Sequence, residues 1–189
     1  MTSSYIEITP EDSKEGIKLS FKKLSNLIDS ADCLKRNNYN DSSIVLSIYA
    51  LEEISRCKRF LYSIRDKENI KKEIWKEISE NHKSKLNRII KEIYSNKKNE
   101  LIKGGYPYDK ELNIFLSKFE LNKKRSEAFS KLLLFLRERI LYTDWNDGKW
   151  VSIEKYYVPE TMERLSKSLL NENRCLQKEI KNEMMSLNI

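Results

Sequence analysis

Four glycines and three prolines in 189 residues leave this chain few places to turn. Glycine supplies positive φ and proline presets many of the remaining turns, so the elements between them must be long. Lys, Glu, Leu and Ile are abundant, and long helices with short connections are therefore expected rather than a sheet. Charged residues make up 34% and hydrophobic ones 39%, the balance of amphipathic helices with solvated outer faces. The length suits one domain with a sizeable core, and residues 1–189 are read as a single helical unit.

The periodicity divides that unit. Thr9-Pro10-Glu11-Asp12 is a helix start, with a capping hydroxyl, a proline in the first turn and acids at the positive dipole end. Ile17, Phe21, Leu24, Ile28 and Ala31 then form an apolar stripe to about Arg36. The "NNYND" stretch interrupts it, and Asp41 is the expected cap of a second helix to about Arg65. A third helical region is expected from Glu68 to about Lys103, with a break near Glu80. "KGGYPYD" at 103–109 is the clearest loop. Helical pattern resumes from Lys110 and culminates in "FSKLLLFLRERILY" at 129–142. Residues 143–159 form an irregular or hairpin excursion, with a turn at Asp147-Gly148, and a final helix starts near Glu160. The expected architecture is all-α: a bundle of five to six helices with one excursion.

Composition also excludes functions. Cys33, Cys57 and Cys175 are odd in number and widely separated, which fits neither a disulfide framework nor a zinc site. A carboxylate-bridged metal pair needs Glu-x-x-His on two helices, and there is one histidine. There is no Gly-rich phosphate loop and no GxSxG. No metal and no cofactor is expected. No run approaches the ~18 apolar residues of a membrane span, and the N-terminus lacks a signal pattern, so the expected location is the cytoplasm, without a membrane partner. The net charge of +7 and pI near 9.1 admit an acidic partner such as RNA, although spread-out lysines equally suit solvated helix surfaces.

The candidate site comes from ionisable residues inside apolar stripes. In "IVLSIYALEEISRCKRFL", 44–61, a 100° step per residue puts Glu52 in a polar seam beside Arg56 and Arg59. Glu53 falls instead between Leu46, Cys57 and Phe60. If the third region is helical through its middle, His82 lies among Ile78, Leu86 and Ile89, with Lys85 on the same arc. Buried charges pair or shift their pKa, so Glu53 is expected to meet His82 or Lys85 across a helix interface. That pair is either a structural tie that fixes helix register or the core of a reactive site.

"ALEEISR" at 50–56, "HKSKL" at 82–86 and "RERILYTDW" at 137–145, followed by Trp150 and Pro159, resemble the AbiV-type abortive infection proteins over roughly 15–185. That family has Glu-Glu-x-x-Lys, then His-x-x-Lys, then Leu-Tyr-x-Asp before a proline. Arg56 stands here where the family usually has lysine. The resemblance implies an HEPN-like bundle that defends bacteria against phage by arresting the infected cell. Many HEPN proteins are metal-independent ribonucleases acting as dimers, with Arg-x4–6-His at the dimer groove. No arginine precedes His82 at that spacing, and Arg137-x4-Tyr142 is the nearest formal analogue.

Two functions follow as expectations. As a ribonuclease, the chain would use His82 as base, Glu53 to orient it or share its proton, and Lys85, Arg56 or Arg137 as cation, with Arg137, Arg139, Tyr142 and Asp144 holding RNA. As a non-enzymatic binder it would sequester a phage or translation component. Arg137 and Arg139 would then merely flank a helix, while Tyr142, Asp144, Trp145 and Trp150 form a packed flap. The expected partners are a second copy of the chain, RNA, and a phage-encoded activator or target. The homodimer is expected from family habit and from apolar stripes on the first and last helices that one compact bundle is not expected to cover fully.

Overall fold

The computed structural model describes residues 7–103, 129–138, 140, 144–146, 149–151 and 159–189. Helix α1, Pro10–Arg36, begins as its sequence dictates. The Asp12 N–H donates to Thr9 Oγ1 at 3.2 Å, Asp12 Oδ2 accepts from Thr9 N at 3.0 Å, and Pro10 opens the first turn. After a left-handed Asn38 (φ 65°), helix α2 runs over Asn40–Asp66. Its cap position is Tyr39, which makes no side-chain cap bond. Asp41 lies in the first turn instead of capping it.

The next helix starts later than the periodicity suggests. Lys67 adopts a left-handed conformation (φ 56°). Ile70 is then diverted into an antiparallel bridge with Ile8, its N–H donating at 2.8 Å and its carbonyl accepting at 3.2 Å. Helix α3 therefore spans Lys72–Glu80, and α4 spans His82–Lys103. The break expected near Glu80 falls at Asn81, whose Oδ1 accepts the Ser84 N–H at 3.0 Å and so caps α4. A helix over 129–138 follows (α5). Within the excursion, β1, Asp144–Asn146, pairs antiparallel with β2, Lys149–Val151, with Trp145 opposite Trp150. Helix α6, Pro159–Ser186, ends the bundle. The loop expected at 103–109 and the helical pattern from Lys110 fall in 104–128, outside the described residues apart from Lys103.

The fold is the expected all-α bundle, and α2 is its axis. Sixteen of its 27 residues are buried, so no flank of its central turns is left as a solvent face. α1 packs on it with Ile17, Leu24 and Ile28 in the core, α4 with Leu86 and Ile89, and α6 with Leu169, Leu176 and Ile180, and Leu133 and Leu136 of α5 belong to the same core. Small polar residues allow close approach and hydrogen-bond across the helix interfaces. Ser43 Oγ donates to the Ala31 carbonyl at 2.8 Å, Ser166 Oγ to Ser43 Oγ at 2.9 Å, and Asn173 Nδ2 to the Ser47 carbonyl at 2.9 Å. The stripes of α1 and α6 thus close on α2 within one protomer, while Leu19 of α1 and Met185 of α6 stay exposed outside them.

Gly16 shows how tight the α1–α2 contact is. A Cβ there would lie 2.7 Å from the Phe60 ring, and that ring is 4% exposed and packed on Trp75 at 5.9 Å between centroids. Ala at position 16 gains at most about 1 kcal/mol of helix propensity, whereas overpacking costs about 1–3 kcal/mol. Gly16→Ala is expected to lower the urea midpoint. An unchanged or higher midpoint would mean that Phe60 yields without cost.

Candidate functional site

Adjacent residues leave a helix about 100° apart, and Glu52 and Glu53 of α2 accordingly face different neighbours. Both are 4% exposed. Glu52 points toward α4 and α5. Its Oε2 lies 2.6 Å from His82 Nδ1 and 3.8 Å from Lys85 Nζ, and its Oε1 accepts from Arg137 Nη1 at 2.8 Å. The Arg137 guanidinium also sits over the Tyr49 ring, 5.5 Å from its centroid. Glu53 points toward α1. Arg56 Nη1 donates to both its oxygens, at 2.7 and 2.9 Å, and Lys23 Nζ donates to Oε1 at 2.7 Å.

This arrangement corrects the sequence reading. Glu53 is buried as expected, but Arg56 and Lys23 meet it, not His82 or Lys85. Glu52, read as surface beside Arg56 and Arg59, is the residue that gathers His82 and Lys85. The reading assumed that α2 had a solvent-facing seam, whereas α4 and α5 cover that flank. A signal for this exists in the sequence: no charged residue occurs from Ser42 through Leu51. A helix that is uncharged all round is buried all round, and the glutamates that end such a run are inside with it.

Arg137 joins the cluster, as one reading of it required. Arg139 and Tyr142 lie outside the described residues, and of Asp144 only the backbone in β1 is described. Lys23, Tyr49 and Glu52 are the members the sequence reading missed. Lys23 carried no signal, since a surface lysine on α1 looks like any other.

The groups act as one electrostatic unit. Lys85 is 3% exposed, and burial pushes its pKa below the ordinary 10.5. Glu52 pulls it back, Arg56 pushes it further down, and Glu53 and Lys23 act in opposite senses. Burial and the neighbouring Glu53 charge drive the Cys57 thiol up to about 12, so at neutral pH it is a protonated space-filler and no nucleophile. The His82 side chain remains 42% exposed. With Nδ1–H donating to the Glu52 carboxylate, the neutral form of the ring carries its lone pair on Nε2.

The HEPN_AbiV family model (AbiV) matches residues 12–168, a span that holds every member of the cluster. No curated protein and no solved structure gives a significant match. Among the described residues no helix is long and apolar enough to cross a membrane.

Removing Glu52 would strand Arg137 and Lys85 without their carboxylate. Breaking such a buried pair from one side costs about 3–5 kcal/mol. Glu52→Ala is therefore expected to lose stability on that scale in urea denaturation, with measurable coupling to Arg137→Ala in a double-mutant cycle. Zero coupling would show that the contact contributes nothing.

Lys85 generates a pH effect of opposite character. Its folded pKa lies below its unfolded one, so between the two the unfolded chain binds more protons and stability rises with pH. Compared with Lys85→Met, the native protein should gain unfolding free energy as pH climbs toward 10.5. A parallel pH profile for the two proteins would contradict this assignment.

Proposed function

The chain belongs to the HEPN_AbiV family, and on that premise we propose that it is an abortive-infection effector that acts on RNA in the phage-infected cell. The observation that supports the reading best is the pairing of the protein's one histidine with a buried carboxylate. Glu52 holds His82 Nδ1 at 2.6 Å while the ring stays accessible, and the same carboxylate anchors Arg137.

In this reading His82 Nε2 takes the proton of a ribose 2′-hydroxyl, which attacks the adjacent phosphorus; the P–O5′ bond breaks, the 5′-oxygen leaves with the proton that His82 returns, and a 2′,3′-cyclic phosphate remains. Arg137 and Lys85 then offset the charge that builds on the phosphorane oxygens. Glu52, rather than Glu53, fixes the tautomer and orients the ring, a positioning role. Arg56 is held by Glu53 and contributes positive potential at the rim. The chemistry asks only for a base and cations, both supplied by the chain. A homodimer and a phage-encoded activator or target belong to the same proposal, by family habit.

A second reading keeps the same defence role without catalysis. Glu52 ties α2, α4 and α5 together by ion pairs, as a purely structural cluster would, and the protein would then act by sequestering a phage or translation component.

One assay separates the two. Purified protein, with metal chelated, is incubated with RNA beside His82→Ala. Loss of the general base should slow cleavage by about 10²–10⁴-fold while circular dichroism stays unchanged. If the native protein leaves RNA intact, and His82→Ala still protects a host in a phage challenge, the binding reading replaces the enzymatic one. Light scattering at micromolar concentration tests the dimer, and a strictly monomeric mass would count against it.

A further inference from the structure

Helices α2 and α6 run parallel, and the polar contacts between them keep sequence order: Ser43 meets Ser166, Ser47 meets Asn173, and Lys58 meets Glu179. The first two contacts form a polar seam inside the core, where Ser43, Ser47, Ser166 and Asn173 are all fully buried. One end of the seam is closed. Ser166 Oγ donates to Ser43 Oγ, and Ser43 Oγ donates to the Ala31 carbonyl. The other end is not. Asn173 Nδ2 donates to the Ser47 carbonyl at 2.9 Å, but Asn173 Oδ1 and Ser47 Oγ have no hydrogen-bond partner within the protein. The contact to the Ser47 carbonyl also fixes the amide's orientation, because the flipped amide would set two oxygens face to face. Turning the Ser47 hydroxyl onto the carbonyl one turn back would satisfy Ser47 and leave Asn173 Oδ1 as it is. Buried polar atoms are costly to leave unmet, and two of them on facing helices call for a common partner.

We infer that Asn173 Oδ1 and Ser47 Oγ form a binding site for one buried water molecule, which bridges α6 to α2. The chemistry of the two atoms selects this ligand. Asn173 Oδ1 can only accept, whereas Ser47 Oγ can donate or accept. Their common partner must therefore bring a hydrogen for the amide oxygen and carry no charge into a neutral seam. An anion has no hydrogen to give. A metal cation would find two oxygens where such ions take about six or more. Water supplies two donors and two acceptors, and buried waters make about three hydrogen bonds to groups that the protein leaves unmet. The bridge is part of the joint between α2 and α6, on the far side of α2 from His82, and stands whether or not the protein cleaves RNA.

Oxygen-17 relaxation dispersion on the whole chain counts the waters that stay bound for longer than the protein takes to tumble. The native protein is expected to hold one more such water than Asn173→Leu, which keeps the size of the side chain and removes the amide oxygen. Ser47→Ala deletes the other anchor without touching α6. There the residence time of that water should shorten about fivefold, as the loss of one neutral hydrogen bond implies. A crystal structure at atomic resolution would then show a fully occupied water about 2.7–3.2 Å from both Asn173 Oδ1 and Ser47 Oγ. Equal counts in the native protein and in an Asn173→Leu variant whose circular dichroism is unchanged overturn the proposal. If Asn173→Leu does not fold, Ser47→Ala decides alone, and residence times identical to the native ones overturn it. A crystal structure in which Ser47 Oγ donates directly to Asn173 Oδ1 overturns it as well.

Discussion

A carboxylate taken out of water loses several kcal/mol of hydration, and only close cations with good geometry return it. Glu52 meets that demand by drawing His82 from 30 positions away and Arg137 from 85 positions away in sequence. The consequence is geometric. Oε1 belongs to Arg137 and Oε2 to His82, so α5 and α4 approach α2 from fixed sides of one small group. Sliding α4 by one residue would carry His82 about 100° around its axis and leave the carboxylate short of a partner. Apolar contacts between these helices tolerate such a slide far better, because Leu and Ile surfaces are interchangeable at similar volume. Glu52 therefore sets register where the core alone would not.

The opposite side of α2 is fixed differently. Apart from Glu53, which meets Lys23 of α1, it presents Ser43, Ser47 and Ser63 toward α1 and α6, with Gly16 of α1 seated against the Phe60 ring. These are short-range contacts between neutral groups, each worth about 1 kcal/mol, yet several occur along the axis and none involves desolvating a charge. α2 thus has a neutral, closely packed side that carries the bundle and a charged side that carries the site. The charged side can hold strained electrostatics because the neutral side does not depend on it.

The legible parts of the sequence were those decided locally. Thr9 and Asp12 close a capping box within four residues, the stripe from Ile17 to Ala31 marks the buried face of α1, and the residues flanking Asp147-Gly148 pair as antiparallel strands. What escaped were decisions made by remote partners. Helix periodicity continued through Glu68 because nothing nearby announces that Ile70 will pair with Ile8. Glu52 looked solvated because Arg56 and Arg59 follow it in the seam, but α4 and α5, from other parts of the chain, occupy that space. Lys23 reaches Glu53 from α1 with a side chain that is still 60% exposed, and composition cannot distinguish it from any other surface lysine.

Two adjacent glutamates pose a register problem of their own. A rotation of α2 by 100° with a 1.5 Å shift would place Glu53 where Glu52 now stands, again facing His82 and Arg137. On the charged side Glu53 would then meet His82 and Arg137, and Lys23, whose side chain is 60% exposed, would lose its carboxylate to solvent at small cost. The neutral side excludes the arrangement more firmly. The same rotation would turn the Ser47 carbonyl from Asn173, take Ser43 from the Ala31 carbonyl, and move Phe60 off the glycine that makes room for it. An unpaired buried Asn173 alone would cost about 1–3 kcal/mol, and the Phe60 ring would leave its packing against Trp75. Which glutamate serves the site is thus decided by serines and a glycine on the far face of the helix, none of which touches it.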